Sequence, residues 1–216
     1  MDISLTPQDA ADRRVRRSRA ALMGATLALV AERGTTNVPV SDIAQAADVS
    51  RQLVYQQFGD RETLLLETAL ELARRELLPH VGGPPEAARP GSHVLSAAQH
   101  FAEYRPFYRA MMTGPCAFAL SKAMNTLFAR SNQQLVHRMS AVPLDPGLAA
   151  DLTLFVGGGW ATVVSSWVVE AEDPLDPEAF AERLQRLVPV LLAAAGHSTV
   201  TEASGPGDAG GTGPAA

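Results

Sequence analysis

The sequence is poor in the residues that build disulfide frameworks and metal centres. Cys116 is the single cysteine among 216 residues, which excludes an internal disulfide and any site with several thiolate ligands. The five histidines are scattered, without the H-x-x-x-H or H-E-x-x-H spacing of a zinc site. We therefore expect no metal site and no cofactor.

Long apolar runs and strand patterns are also missing. We find no apolar run of the roughly 18 residues that a membrane span needs. The first residues, MDISLTPQDAADRRVRR, lack the apolar core of a signal peptide. No segment alternates between apolar and polar residues with hairpin turns at its ends. With 46% hydrophobic and 19% charged residues, the composition is that of a globular protein, and we expect an all-α, cytoplasmic chain.

Catalytic patterns are weak. Cys116 follows Pro115 and is a conceivable nucleophile, but the sequence places no histidine or acid as its base, and a lone buried thiol is the commoner case. A glycine-rich phosphate loop would have to follow a strand, and no strand is expected. An enzyme is therefore disfavoured.

Charge is unevenly distributed along the chain. The net charge is −5, yet residues 13–61 contain eight arginines and no lysine against four acids. Residues 62–216 contain ten basic and sixteen acidic residues. A basic head on an acidic body can present one face to phosphates while the body is kept off the duplex.

The stretch PVSDIAQAADVSRQLVYQQFGDRETLL, residues 39–65, predicts two short helices joined by a tight turn. Asp48 suits the turn because it tolerates positive φ, and Ser50 supplies an N-cap for the second helix, residues 50–57. Gly59 ends that helix, and Asp60 caps the next one. In the second helix Leu53 or Val54 packs with Phe58, which leaves a set of hydrogen-bonding residues free: Arg51, Gln52, Tyr55, Gln56 and Gln57.

The run SDIAQAADVSRQLVYQQFGDRETLL closely resembles the signature of the TetR (tetracycline-repressor-type) family of transcriptional regulators. The order and spacing of the Ile-Ala run, the turn, Val-Ser, Tyr-x-x-Phe and the basic-acidic-x-Leu segment carry the resemblance. Four positions depart from the common pattern: Pro39 replaces a capping Thr, Asp48 a Gly, Gln57 a His and Arg61 a Lys.

For DNA reading, the second helix of the motif would lie in the major groove. Arg51 can donate two hydrogen bonds to guanine, Gln52 or Gln56 can pair with adenine, and Leu53 can touch a thymine methyl. Tyr55 and Arg61 would hold phosphates, as the resemblance also implies for Tyr55. The alternative is that Tyr55 packs and Arg51 is merely solvated. The candidate DNA-binding residues are Arg17, Ser50, Arg51, Gln52, Leu53, Tyr55, Gln56 and Arg61.

A long helix is predicted before the motif, from Arg13 to Glu32, or from as early as Thr6-Pro7, and it ends at Gly34. Its first turns are basic and either meet the DNA backbone or form a solvated end; we favour the first. The arginines are Arg13, Arg14, Arg16, Arg17 and Arg19, and the apolar positions are Val15, Leu22, Leu27, Leu29 and Val30.

Behind the motif, a helix from Asp60 to Pro79 leads to a Gly- and Pro-rich loop, residues 80–91. Helices over 93–104, 106–112, 116–139, 146–171 and 177–195 follow, the last two opened by Asp-Pro pairs. The domains are therefore a head (1–60) containing a three-helix helix-turn-helix unit, a helical body (61–196) and a disordered tail (197–216), with about nine helices in all.

The body is rich in aromatic and sulfur side chains between residues 101 and 128. Such residues fill cores but also line apolar pockets, and the family resemblance implies an inducer pocket here. The candidate ligand-binding residues are His100, Phe101, Tyr104, Phe107, Met111, Met124, Asn125, Phe128 and Trp160, with His137 as a further polar candidate.

Gly157, Gly158 and Gly159 lie inside an apolar helix, where each costs about 1 kcal/mol against alanine. Either internal packing or a subunit interface explains them. We favour an interface, since a half-site reader needs a two-fold partner and the resemblance implies a four-helix dimer bundle. The candidate interface residues are Phe155, Gly159, Val163, Trp167, Leu184, Leu187 and Leu191.

These features together predict a homodimeric regulator that binds operator DNA and a small apolar or aromatic effector. Repression released by the ligand is what the resemblance implies. An activator, a regulator without an effector, and a helical enzyme or scaffold that retains the head remain as alternatives.

Overall fold

The computed structural model describes residues 7–81, 92–140 and 143–197, and every regular element in these ranges is a helix. The all-α prediction is confirmed, and ten helices are present in the described ranges where about nine were expected. They are α1 (Pro7–Arg33), α2 (Val40–Ala46), α3 (Arg51–Phe58), α4 (Arg61–Glu76), α5 (Leu78–Val81), α6 (Ser92–Glu103), α7 (Arg105–Thr113), α8 (Ala117–Met139), α9 (Pro146–Glu170) and α10 (Pro177–His197).

The first three helices contribute to the hydrophobic core that continues into the rest of the chain. Leu22 and Val30 of α1, Ile43 of α2 and Val54 of α3 are fully buried in it. Gly34 ends α1 in a left-handed conformation (φ 63°), and its N–H donates to the carbonyl of Val30 at 3.0 Å, as a C-terminal glycine cap requires.

Helix α4 connects this core to the rest of the chain. The carboxylate of Asp60 accepts from the N–H of Thr63 at 2.7 Å, and this hydrogen bond lowers the pKa of Asp60. The predicted helix to Pro79 divides at Leu77, where α4 ends and the short α5 begins. Because α4 packs on both α1 and α8, it joins the head rigidly to the body.

The body is formed by α6–α10, with α8 packed along α9 and α10 packed on α6. Asp145 caps α9 by accepting from the N–H groups of Gly147 and Leu148, and Asp176 caps α10 by accepting from the N–H of Ala179. The Asp-Pro pairs therefore open the last two helices as predicted.

Buried Arg105 ties α7 to the end of α9. Its guanidinium donates to the carbonyl of Val168 at 3.0 Å, to the carbonyl of Ala171 and to the carboxylate of Asp173. The side chain is only 8% exposed, so these acceptors compensate the cost of burying its charge.

Helix α9 is long and strongly apolar. By length and mean hydropathy (1.5) it is apolar enough to cross a membrane, and only 17% of its most apolar window is buried within the chain. Residues 152–169 contain no charged side chain.

Two predicted segments lie largely outside the described residues. Of the predicted loop 80–91, His80 and Val81 belong to α5, and the rest is not described. Of the predicted tail 197–216, only His197 is described, as the last residue of α10.

Candidate nucleic-acid interface

The turn between α2 and α3 has the conformation that its residues favour. Asp48 adopts φ 52°, and the N–H of Val49 donates a hydrogen bond to the carbonyl of Ala44 at 3.0 Å. Ser50 then caps α3, with its hydroxyl accepting from the N–H of Leu53 at 3.3 Å. The turn and the cap together set the angle between α2 and α3.

Helix α3 buries one side and exposes the other. Val54 and Phe58 are in the core, while Leu53 is half-buried. The exposed side consists of hydrogen-bonding side chains from four of the predicted DNA-binding residues: Arg51, Gln52, Tyr55 and Gln56. Tyr55 is 53% exposed, so the alternative in which it packs internally does not hold in this structure.

Arg61 lies at the start of α4, beside this face. Its guanidinium donates one hydrogen bond to the amide oxygen of Asn37 at 3.0 Å, which anchors it to the α1–α2 loop. The remaining guanidinium donors stay available for a phosphate at the helix N-terminus.

The basic start of α1 divides into an exposed and an inward-facing part. Arg13, Arg14, Arg16 and Arg17 are exposed, and so is Val15, which the sequence pattern had placed on the apolar side. Arg19 instead packs over the ring of Phe58, with its guanidinium carbon 4.2 Å from the ring centroid. The free arm is therefore shorter than the arginine spacing suggested.

Gln57 is not free, contrary to the sequence prediction. Its side-chain amide donates to the hydroxyl of Ser18 at 2.7 Å, while its backbone carbonyl accepts from Arg19 at 2.9 Å. The amide oxygen is buried without a hydrogen-bond partner. Spacing along α3 could not reveal this, because both partners lie 38 or more residues earlier, in α1.

Helix α3 is capped, buried on one side and polar on the other, and the turn at Asp48 sets it against α2. This arrangement is that of a helix-turn-helix nucleic-acid-binding domain. Residues 22–68 match the profile described as bacterial regulatory proteins, tetR family. The resemblance seen in the sequence is thereby confirmed: residues 22–68 are similar to the tetR family of bacterial regulatory proteins.

Known proteins resemble the chain over different lengths. Over 56 residues the chain is 45% identical to the HTH-type transcriptional regulator BetI of Agrobacterium fabrum (strain C58), which covers 26% of this chain and 27% of BetI. The chain therefore matches about a quarter of the length of that curated relative.

Solved structures show a similar fold over most of the chain. NalD of Pseudomonas aeruginosa, the secondary repressor of the MexAB-OprM multidrug efflux pump, is 22% identical with a TM-score of 0.55 over 81% of this chain and 96% of NalD. The repressor AlkX of Dietzia sp. strain DQ12-45-1b is 20% identical with a TM-score of 0.52 over 82% of this chain and 95% of AlkX. At these identities the likeness establishes the fold alone.

The predicted ligand-binding residues fall into two groups. His100, Phe107 and Met111 are buried in the chain's own core, together with Tyr108. The other six are half-buried: Phe101, Tyr104, Met124, Asn125, Phe128 and Trp160. Core packing therefore accounts for the first group, and only the second can line an accessible site. The further polar candidate His137 is exposed.

A hydrogen-bonded cluster of Glu76, His100, Tyr104 and Tyr108, which we call the Glu76 cluster, joins α6 and α7 to α4. The carboxylate of Glu76 accepts from His100 Nδ1 at 3.0 Å and from the hydroxyl of Tyr104 at 3.1 Å. His100 Nε2 lies 2.9 Å from the hydroxyl of Tyr108. Since an ionised carboxylate only accepts, Nδ1 carries the proton and the fully buried Tyr108 donates to Nε2.

Burial sets the protonation states in the Glu76 cluster. It lowers the pKa of His100 below the ordinary 6.5 and raises the pKa of Tyr108 far above its ordinary 10.0. Burial also opposes ionisation of Glu76, but hydrogen bonds from Arg75, His100 and Tyr104 together hold its pKa below the ordinary 4.5. A neutral imidazole therefore links a tyrosine to a carboxylate.

A cleft of about 320 Å³ lies elsewhere, between the loop 34–37, Arg61 and the turn from α7 to α8. It contains none of the predicted ligand-binding residues. At its edge Gly114 approaches Thr36 so closely that a methyl group on Gly114 would lie 2.7 Å from the Thr36 hydroxyl. Head and body are therefore in direct contact here.

The predicted interface residues also divide. Trp167 and Leu184 are buried within the chain, and the Trp167 ring stacks on Phe180 with centroids 3.9 Å apart. Both side chains are therefore covered within one chain, Trp167 by Phe180 of α10, and neither is exposed to a partner in this structure. Phe155, Gly159 and Leu187 are exposed and Val163 is half-buried, whereas the side chain of Leu191 lies outside the described residues.

The three glycines of α9 have different surroundings. A methyl group on Gly157 would lie 2.6 Å from the Asn132 amide nitrogen of α8, so internal packing explains this glycine. Gly158 and Gly159 face open space, and packing within one chain does not account for them.

Cys116 is a buried thiol of the core. The thiol is buried, and burial raises its pKa, which disfavours the thiolate a nucleophile needs. Within the part of the chain that the structure describes, no group of three or more His, Cys, Asp or Glu side chains could hold a metal ion.

Proposed function

We propose that this chain is a cytoplasmic, DNA-binding transcriptional regulator that acts as a homodimer and releases its operator when a small apolar or aromatic effector binds. The exposed, capped and uniformly hydrogen-bonding face of α3 carries the proposal for DNA. The tetR-family profile over residues 22–68 and the positive charge of residues 13–61 support it. An enzyme or scaffold that retains the head is the competing class.

The experiment that tests DNA reading is a fluorescence-anisotropy titration with the duplex upstream of the gene, against a scrambled duplex across a salt series. We expect the native duplex to bind ~10³-fold or more tightly than the scrambled one. Equal, weak binding to both duplexes would contradict operator recognition at that site and favour a role for the helical body alone.

Two arginines of the head should affect binding in different ways. Arg51→Ala should cost about 1–3 kcal/mol of operator binding and relax the preference at one base pair, because a bidentate contact to guanine is lost. Arg61→Ala should weaken binding to all DNA sequences alike. It should also lower the slope of the binding constant against salt concentration by about 1, because a phosphate contact is lost. Titrations against single-base operator variants measure both effects; equal behaviour of the two substitutions would refute the assigned roles.

We propose that a second copy of the chain covers the exposed apolar side of α9 and α10. Phe155 is 72% exposed, Leu154 67% and Val190 65%, and unpartnered apolar residues of this kind mark an interaction surface. Gly159, in open space, would let the partner helix approach closely. Two-fold pairing also places two reading helices on one operator.

Phe155→Asp should separate the dimer, raising its dissociation constant about 100-fold or more, because a carboxylate would be buried without a partner. Sedimentation equilibrium across a concentration series measures this change. Gln99→Asp, at an exposed position of α6, adds the same charge outside the proposed interface and should leave the dimer intact. A wild-type chain that remains monomeric at micromolar concentration would contradict the proposal.

For the effector we propose the six half-buried candidate residues, of which Tyr104 belongs to the Glu76 cluster and would supply a polar contact. The supporting observation is that Glu76 lies in the last turn of α4, the helix that begins at Arg61 beside the DNA face. A ligand that alters these hydrogen bonds can shift α4 and hence the head.

The effector is tested by screening small aromatic and apolar compounds for release of the operator duplex, with tryptophan fluorescence as a direct binding signal. A releasing compound should quench Trp160 fluorescence in a Trp167→Phe background. Release should also weaken in Met124→Ala, which shortens a side chain of the proposed site. Operator binding that no compound affects would favour the regulator without an effector.

A further inference from the structure

We infer that Arg19 is a positioning residue that holds α3 against α1, and that it makes no phosphate contact of its own. Its guanidinium donates to the Gln57 carbonyl at 2.9 Å, lies 4.2 Å from the Phe58 ring centroid and pairs with Glu67 of α4 at 3.4 Å. We call this set of contacts the Arg19 clamp.

The Arg19 clamp acts at the C-terminal end of α3, where the helix has few hydrogen bonds of its own. A helix leaves its last four carbonyls without intrahelical partners, and the Gln57 carbonyl belongs to that group because Gly59 ends α3 with φ 79°. A cation at this end also complements the helix dipole. Since α3 has only eight residues, fixing its two ends fixes its direction: Ser50 caps the first end and Arg19 holds the second.

A second bond from α1 reinforces the same end. Ser18, the neighbour of Arg19, accepts from the Gln57 side-chain amide at 2.7 Å. Consecutive residues of α1 therefore hold both the carbonyl and the side chain of Gln57. Arg17, one residue earlier, is exposed and is left for the DNA backbone.

The geometry requires arginine rather than a positive charge alone. A planar guanidinium can stack on a ring and donate in its own plane at the same time, whereas the ammonium group of lysine is a compact point charge that does not reproduce this combination. The Glu67 contact is the weakest of the three, because both side chains are about one-third exposed and water screens the pair.

The consequence for DNA reading rests on the proposed function. Base contacts depend on the placement of side chains on α3, while phosphate contacts depend mainly on the number of charges present. Loosening the last turn of α3 should therefore lower discrimination between sequences and leave the salt dependence of binding unchanged.

The test compares Arg19→Lys with Arg74→Lys in the full chain. Arg74 is an exposed arginine of α4 that pairs with Glu71, so the second variant makes the same chemical change away from the clamp. The readouts are amide hydrogen exchange of residues 55–59 relative to α8 in the free protein, the affinity ratio of operator to scrambled duplex, and the salt slope. The ratio to α8 separates local loosening from global unfolding.

In Arg19→Lys we expect exchange at residues 55–59 to rise about tenfold relative to α8, and the affinity ratio to fall about tenfold with the same salt slope. Arg74→Lys should match the wild type in all three. Wild-type exchange and discrimination in Arg19→Lys would overturn the inference, as would an Arg19→Ala variant whose only defect is a lower salt slope. Failure of the wild type to discriminate between duplexes would refute the proposed function, while the exchange ratio would still decide the role of Arg19.

Discussion

Replacement of Trp167 by alanine is expected to lower the free energy of unfolding by about 3–5 kcal/mol, the range for removing a large aromatic side chain from a core. Trp167 is 7% exposed and stacks almost parallel on Phe180, with the two ring planes inclined by 6°. Neighbouring Val168 is itself fully buried, and a close-packed core relaxes only partly around a cavity. Urea unfolding monitored by circular dichroism measures the loss.

The same variant decides whether this part of α9 belongs to the core or to an interface. If Trp167 belongs to the core, the decrease in the free energy of unfolding should be the same at all protein concentrations, once the contribution of dimerisation is subtracted. The dimer dissociation constant should then stay within about threefold of the wild type. Phe155→Ala is the matched control on the same helix, because it should weaken the dimer while leaving the fold of one chain intact. A Trp167→Ala chain with normal stability but no dimer would show that the sequence-based interface assignment was right.

His100→Ala is expected to lower the free energy of unfolding by about 2–5 kcal/mol at neutral pH. The imidazole packs near three aromatic rings, with centroids 5.0–5.5 Å away, so truncation opens a cavity. It also leaves the buried Tyr108 hydroxyl without its acceptor, which carries the cost of an unsatisfied polar group. Chemical unfolding at pH 7.5 measures the sum of the two effects.

His100 also gives stability a pH dependence of predictable sign. Because burial holds its pKa below 6.5 in the folded chain, the unfolded chain binds a proton that the folded chain resists. As pH falls below about 6.5, the free energy of unfolding should therefore decrease. The acidic neighbours Glu76 and Glu103 oppose this shift, and Arg75 adds to it. The slope between pH 7.5 and 5.5 should be smaller in His100→Ala.

A double substitution provides the control for the Glu76 cluster. His100→Leu alone leaves the Tyr108 hydroxyl unpaired, whereas His100→Leu with Tyr108→Phe removes both partners and should recover about 1–3 kcal/mol. Glu76 keeps its bonds from Arg75 and Tyr104 in both variants. A double variant no more stable than His100→Leu would show that the hydroxyl–imidazole bond contributes little.

Local chemistry explains why the helices and turns of the head could be predicted from the sequence. Asp48 at the turn, the caps Ser50 and Asp60, and the terminator Gly59 act on residues within four positions, so their effects follow from order and spacing. The Asp-Pro openings of α9 and α10 were predictable for the same reason.

Contacts between residues far apart in the sequence could not be predicted in this way. The pattern showed that Arg19 and Gln57 are polar, but their partners lie on other helices, so nothing local indicated that they turn inward. In α9, the apolar period marked both Trp167 and Phe155, yet only the packing of α10 decides that the first is covered and the second is not. Periodicity identifies an apolar side of a helix and leaves open what covers it.

In the proposed dimer, the tight contact between Thr36 and Gly114 would constrain the choice of DNA target as well as the protein. With α1 packed on α7 and α4 on α8, the orientation of each head follows that of its body. In a symmetric pair, the distance between two recognition helices is then a property of the protein. One base pair inserted at the centre of an operator turns one half about a tenth of a helical turn away from its reader. Spacer length in the target should therefore be selected as strictly as the bases themselves.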